Sequence, residues 1–243
     1  MTALLLIAHG SRDLRHAATV HALRRRVAAR RPGLRVEAAF LDHCAPSVGR
    51  SLERLAAQGV REVVAVPLLL TRAFHAKADV PAALAAARSA GPTVRVADVL
   101  GPSPLLTAAL ERRLYEAGLD PADRSSTGIV LASAGSTDPE ANAVIAEIAR
   151  EWRRTGWCAV RPAFASARTP STAEAVAALR AAGARRVAVA PYVLAPGRLP
   201  DRIAAGARGA DVLGDVLGAA PEVAEAVLRR YETAAVVRGA AAA

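Results

Sequence analysis

Short, nearly continuous apolar runs alternate along this chain with longer stretches in which apolar residues recur every three or four positions. In the first half the runs 4–8, 36–41, 63–70 and 94–100 predict strands. Runs that are apolar at both odd and even positions suit parallel strands buried on both faces. Between them, 15–30, 46–57, 80–90 and 104–117 predict helices. Pro46, Pro81 and Pro104 fit the first helical turn, where a missing N–H is of no consequence. Gly59 and Gly118 fit helix ends, where the backbone often turns left-handed. The alternation resumes with strands at 129–133, 160–165, 187–194 and 212–217, again with helices between. Strand and helix in strict alternation predict an α/β protein, each parallel sheet carrying helices on both faces.

The second half repeats the first. Leu5-Leu6-Ile7-Ala8-His9-Gly10-Ser11-Arg12-Asp13 returns as Val130-Leu131-Ala132-Ser133-Ala134-Gly135-Ser136-Thr137-Asp138. Ala39-Phe40 with Pro46-Ser47 returns as Ala163-Phe164 with Pro170-Ser171. GVREVVAVPLLL (59–70) returns as GARRVAVAPYVL (183–194), and Asp98-Val99-Leu100-Gly101 as Asp215-Val216-Leu217-Gly218. Matches in the same order along both halves point to a duplication. The expected domains are 1–119 and 127–243, each with a four-stranded parallel sheet, joined by a linker that reads LDPADRSST and enclosing a cleft.

Composition narrows the function classes. Aromatic residues make up only 3% of the chain, so the cores must be built from Ala, Val and Leu. The net charge is +10, and Lys77 is the only lysine, so the excess is arginine. A basic balance favours anionic partners. Nucleic acid is a poor fit, because single-strand binding needs stacking aromatics. Two cysteines make neither a disulfide framework nor a zinc knuckle, and Cys44 reads as an inert buried thiol. No stretch approaches the roughly 20 apolar residues of a membrane span, and no signal peptide is evident. The expected setting is the cytoplasm, with no membrane partner. No phosphate-binding loop or nicotinamide fingerprint is visible, so no nucleotide cofactor is expected.

Ligands of such sheets bind outside the carboxyl ends of the strands. His9-Gly10-Ser11-Arg12 follows the first strand, Asp42-His43-Cys44 the second, and the segment with Arg72, His75 and Lys77 the third. Two histidines and a carboxylate at one sheet end suit a borderline divalent ion. His43, adjacent to Asp42, should point the other way if strand geometry continues, and His16 and His21 read as surface residues of the first helix. In the second half His9, Asp42 and His75 correspond to Ala134, Ser166 and Leu199, so one metal site per chain is expected. Arg12, Arg72, Arg198 and Arg202 can pair with carboxylates, and the amides around Gly10-Ser11 and Gly135-Ser136, at helix starts, can add donors.

AHGSRD (8–13), AFLDHCAPSV (39–48), VPLLLTRAFHAKADVP (66–81) and GPSPLL (101–106) resemble the class II chelatases of the sirohydrochlorin type, and APYVLAPGRLPDRI (190–203) resembles the degenerate half of their long, two-domain members. The resemblance implies insertion of Fe2+, Co2+ or Ni2+ into an acidic tetrapyrrole without ATP. Fe2+, giving siroheme, is favoured, with Co2+ for cobalamin next; a non-catalytic metal or tetrapyrrole carrier is the reading of a different class. It implies His9 and His75 as metal ligands that assist proton removal. Asp42 stands where the family usually has glutamate, which leaves its contact with the metal open. It also implies a monomer of pseudo-twofold symmetry, since short members reach this architecture as homodimers.

Overall fold

The computed structural model describes residues 2–72, 79–86 and 91–240 of the chain. The expected α/β architecture is present as two four-stranded parallel sheets flanked by helices. The first contains β1 (Thr2–Ala8), β2 (Arg35–Phe40), β3 (Glu62–Pro67) and β4 (Thr93–Val96) in the order β2-β1-β3-β4. The second contains β5 (Thr127–Ser133), β6 (Ala159–Phe164), β7 (Arg186–Tyr192) and β8 (Val212–Leu213) in the order β6-β5-β7-β8. Register repeats with order: Ala8 lies beside Phe40 in the first sheet, and Ser133 beside Phe164 in the second.

Several strands stop short of the apolar runs that announced them. The third run continues to residue 70, yet β3 ends at Pro67; Leu68 and Leu69 are buried or half-buried in the turn beyond. Apolar content reports burial, and a buried turn reads like a strand. Pro46 is not in a helical turn. It precedes Ser47, the N-cap of α2 (Val48–Ala57), and its carbonyl accepts from Phe40 N–H at 3.0 Å. The expected linker is ordered: Asp120 caps a 3-10 turn, Pro121–Ser126, that leads directly into β5.

The chain forms two compact units, and they are not the two sequence halves. One is Met1–Ser103 with Ala219–Ala243; the other is Pro104–Gly218. In the first unit α1 (Leu14–Arg30) packs on β2 and α8 (Pro221–Ala240) packs on β3. The opposite face is covered by α2 and α3 (Val80–Ala86), where Leu5, Ile7, Leu52, Leu55, Val63 and Leu84 form one apolar cluster. In the second unit α5 (Pro139–Arg153) packs on β6 and α4 (Pro104–Glu116) on β7, with α6 (Thr172–Ala181) and α7 (Arg198–Gly206) against each other. So the last helix of each half completes the unit of the other. Equivalent arginines mark the exchange: Arg113 of α4 donates to the carbonyls of Val216 and Leu217 at 3.1 and 3.2 Å, and Arg230 of α8 donates to that of Leu100 at 3.3 Å.

Beyond the strand ends the ladder between β1 and β2 continues. Leu41 N–H donates to Ala8 O at 3.0 Å and Asp42 N–H to His9 O at 2.9 Å. This draws the Asp42 carbonyl onto Gly10, whose φ is +96° and where a Cβ would stand 1.8 Å from that oxygen. Gly135 repeats the arrangement, with φ +81° and the Ser166 carbonyl 2.0 Å from a built Cβ. Both the dihedral and the close approach require glycine.

His16 and His21 are half-buried, contrary to the surface position expected of them, because both pack on Phe40 at the end of β2. Their ring centroids lie 6.3 and 5.7 Å from that of Phe40. Burial, then the neighbouring His9, lower the pKa of His16 against a smaller opposing effect of Asp13. Burial, then Arg24 and Arg25, lower that of His21.

Two predictions follow from this layer of the structure. Gly10→Ala should destabilise the protein by roughly 2–4 kcal/mol, since left-handed strain and overlap with backbone act together; a denaturant midpoint unchanged from wild type would contradict the close approach. The second concerns pH. An unfolded histidine titrates at about 6.5, whereas His16 and His21 resist protonation when folded. Below that pH the unfolded chain therefore binds more protons. Stability of the metal-free protein should be full above about pH 6.5 and decline as pH falls from there towards the lowered folded values. The His16→Gln/His21→Gln variant should show a shallower decline in denaturant midpoint between about pH 7.5 and 5.5, and an equal decline would refute the assignment.

Candidate metal-handling site

The end of β1 and the end of β2 bring the backbones of His9 and Asp42 together, and His43 follows Asp42 in the chain. His9 is half-buried directly after β1, and its Nδ1 lies 3.2 Å from the Gly10 carbonyl. In the tautomer with its proton on Nδ1, that contact is a hydrogen bond to the Gly10 carbonyl, and the proton is then absent from Nε2. Asp42 is exposed just beyond β2. His43 does not point away from it. Strand geometry ends at Phe40, and His43 adopts φ +60°, which swings its ring back so that Nε2 lies 3.3 Å from Asp42 Oδ2. The His43 backbone N–H also donates to Asp42 Oδ1 at 2.7 Å. The carboxylate is thus oriented by its own neighbour. His75 and Lys77 fall in 73–78, outside the described residues. Among the described residues no group of three His, Cys, Asp or Glu side chains is arranged to hold a metal ion.

Cys44 is neither fully buried nor idle. Its Sγ accepts from Ser11 N–H at 3.5 Å and donates to Ser11 O at 3.1 Å, joining the turn after β1 to the turn after β2. The Ser11 amide is therefore engaged rather than offered to an anion. The same holds for Ser136, whose N–H donates to Asn142 Oδ1 at 3.2 Å. The helix starts lie beyond these residues, at Asp13 and Asp138, whose carboxylates each accept a backbone N–H at 2.9 Å. No sequence signal marked the Cys44 contact or the turn of His43 towards Asp42, because both depend on a left-handed residue that is not glycine.

The second unit reproduces this backbone without its chemistry. Ala165 N–H donates to Ser133 O at 2.9 Å and Ser166 N–H to Ala134 O at 3.0 Å, the counterparts of the Leu41 and Asp42 bonds. Ala134 and Ser166 stand in the frame of His9 and Asp42, and Ala167 at φ +63° stands for His43.

The arginines named from the sequence differ in circumstance. Arg12 is exposed, three residues after His9 in the chain. Arg72, after β3, forms an ion pair with Asp98 at 2.6 Å, so an anion at Arg72 must compete with that carboxylate. Burial opposes ionisation of Asp98, but hydrogen bonds from Arg72 and from Val99 N–H hold its carboxyl below the usual range. Arg198 and Arg202 are exposed one turn apart at the start of α7, a spacing that puts them on one helix face.

Comparison with known proteins follows the duplication. The family model CbiX matches residues 3–117 and again 128–234. A sirohydrochlorin cobaltochelatase of Priestia megaterium is 30% identical over 69% of this chain, and the aligned stretch spans 56% of that protein's length. A sirohydrochlorin ferrochelatase of the same organism is 28% identical over 84% of this chain and 77% of its own. The solved structure of SirB from Bacillus subtilis with Fe3+ superposes with a TM-score of 0.83 at 25% identity, covering 98% of this chain and 97% of that one. Two matches to one model, in the two halves that the repeat defines, establish that the chain belongs to the CbiX family.

Proposed function

We propose that this chain is a sirohydrochlorin chelatase that inserts a divalent metal ion, Fe2+ in the first place, into the metal-free tetrapyrrole to give siroheme. The observation that carries the reading is the asymmetry of the duplicated frame: one backbone arrangement, built twice, keeps His9, Asp42 and His43 in the first half and holds Ala134, Ser166 and Ala167 in the second. A frame kept where its chemistry has gone supports one metal-handling site per chain. Cobalt insertion is the second reading, favoured by the cobaltochelatase relative. Imidazole and carboxylate ligands suit both ions, so geometry and supply decide between them.

In this reading the incoming metal, a substrate, is held by His9 through Nε2 and by His75. Insertion exchanges two pyrrole N–H protons for M2+, and neutral imidazole is the base suited to receive them near neutral pH. Asp42, oriented by His43, supplies negative charge beside the ion and a second proton acceptor. Arg12, Arg198 and Arg202 pair with the carboxylates of the macrocycle, and Arg72 does so in exchange with Asp98. The duplicated chain works as a monomer, since one chain already contains two copies of the fold. Free thiols at Cys44 and Cys158 fit a reducing compartment and support a cytoplasmic setting. No helix among the described residues is long and apolar enough to cross a membrane.

The test is anaerobic turnover of sirohydrochlorin with Fe2+, Co2+ and Ni2+, followed by absorbance. A metal or tetrapyrrole carrier would yield at most one equivalent of product per chain. His9→Ala and His75→Ala should each lower kcat/KM by roughly 100-fold or more while leaving the thermal midpoint close to wild type. Wild-type rates for both would overturn the ligand assignment. Arg198→Ala/Arg202→Ala should raise KM for sirohydrochlorin roughly five- to thirtyfold, at about 1 kcal/mol for each exposed pair, with little change in kcat. The effect should shrink at high salt, and an unchanged KM would remove these arginines from the substrate site.

A further inference from the structure

We infer that Cys44 is a positioning residue for the metal-binding end of β1, its thiol clasping both backbone atoms of Ser11 and so fixing the His9-Gly10-Ser11 turn against the Asp42 turn. The consequence at the metal rests on the chelatase reading; the clasp itself does not. Cys44 Sγ receives Ser11 N–H at 3.5 Å and donates to Ser11 O at 3.1 Å. Both contacts of the sulfur are thus spent on the backbone of one residue in the facing turn. The geometry therefore makes Cys44 a support for the turn rather than a further ligand.

The second unit supplies the independent observation. There the same two backbone atoms are held by one side chain again, but a different one from a different element. Ser136 N–H donates to Asn142 Oδ1 at 3.2 Å, and Asn142 Nδ2 donates to Ser136 O at 2.7 Å, from within α5. Counting from the capping aspartates Asp13 and Asp138, Asn142 corresponds to Ala17; counting from Phe40 and Phe164, Cys44 corresponds to Arg168. Each half thus lacks the other's clasp and carries its own. The turn leaves a backbone donor and acceptor, partly shielded from water, that must be paired, and either side chain answers that need. In the half that retains His9 and Asp42, the pairing side chain comes from the Asp42 turn, so the two metal-handling turns are tied to each other.

The experiment uses the full chain and the variants Cys44→Ala and Cys44→Ala/Ala17→Asn, the second transplanting the clasp of the other half. Four readouts are taken: amide hydrogen exchange of residues 9–13, Co2+ affinity by titration of the protein alone, steady-state insertion and the thermal midpoint. Cys44→Ala should speed exchange in 9–13 and weaken Co2+ binding about three- to tenfold, the weight of one or two ordinary hydrogen bonds. The double variant should recover both. Unchanged exchange and Co2+ affinity in Cys44→Ala would overturn the inference. So would a double variant that regains thermal stability while exchange and affinity stay impaired, since that separates the fold from the turn. A wild-type chain that neither binds Co2+ nor turns over sirohydrochlorin would instead fail the chelatase reading, and the exchange measurement alone would then decide the clasp.

Discussion

The carbonyl that follows β2 lies against the glycine that follows β1, and the candidate site is arranged around that contact. It exists because the hydrogen-bond ladder runs past the last paired residues of the sheet, from Ala8 to Leu41 and from His9 to Asp42. With the two turns bonded this closely, the residue after His9 has no room for a Cβ and must take a positive φ. Glycine at that place fixes where the backbone of His9 and Asp42 can go. The two turns from which these side chains project are held together by that bonding. The same constraint at Gly135 and Ser166 shows that it belongs to the scaffold and not to the chemistry.

A scaffold of this kind separates two demands that sequence comparison tends to merge. The fold needs the apolar strands, the glycines and the capping aspartates, and both halves keep them. The proposed chemistry needs imidazoles and a carboxylate at a few positions, and the first half carries His9 and Asp42 where the second carries Ala134 and Ser166. The turn after each first strand needs its backbone paired, and here the halves diverge without loss, one using Cys44 and the other Asn142. The units also depend on both halves at once. Their last helices are exchanged, with Arg113 and Arg230 bonded to the carbonyls of the other half's final strand region. Neither half closes its own sheet face, so the duplication has become a single folding problem.

What the sequence alone determined was the part governed by local pattern and by residue type. Periodicity sufficed for the α/β class and the repeat, because buried parallel strands and amphipathic helices leave different spacings in the chain. The rule that ligands gather at strand carboxyl ends points to His9 and Asp42, and Ala134 and Ser166 at the equivalent places make the first half the candidate copy. What only the tertiary structure decided was everything set by non-local packing. Strands end short of their apolar runs because the segments beyond them, such as Leu68-Leu69, are themselves buried or half-buried. His16 and His21 read as surface residues because no local pattern announces Phe40 beneath them. Continued strand geometry would face His43 away from Asp42, and its left-handed backbone turns it back. The helix exchange left no mark in spacing, since α4 and α8 have the same apolar faces whichever sheet they cover. Local pattern fixes what a segment must bury. Which partner it buries that surface against, and which way a turn then points its side chains, is settled by contacts between residues distant in sequence.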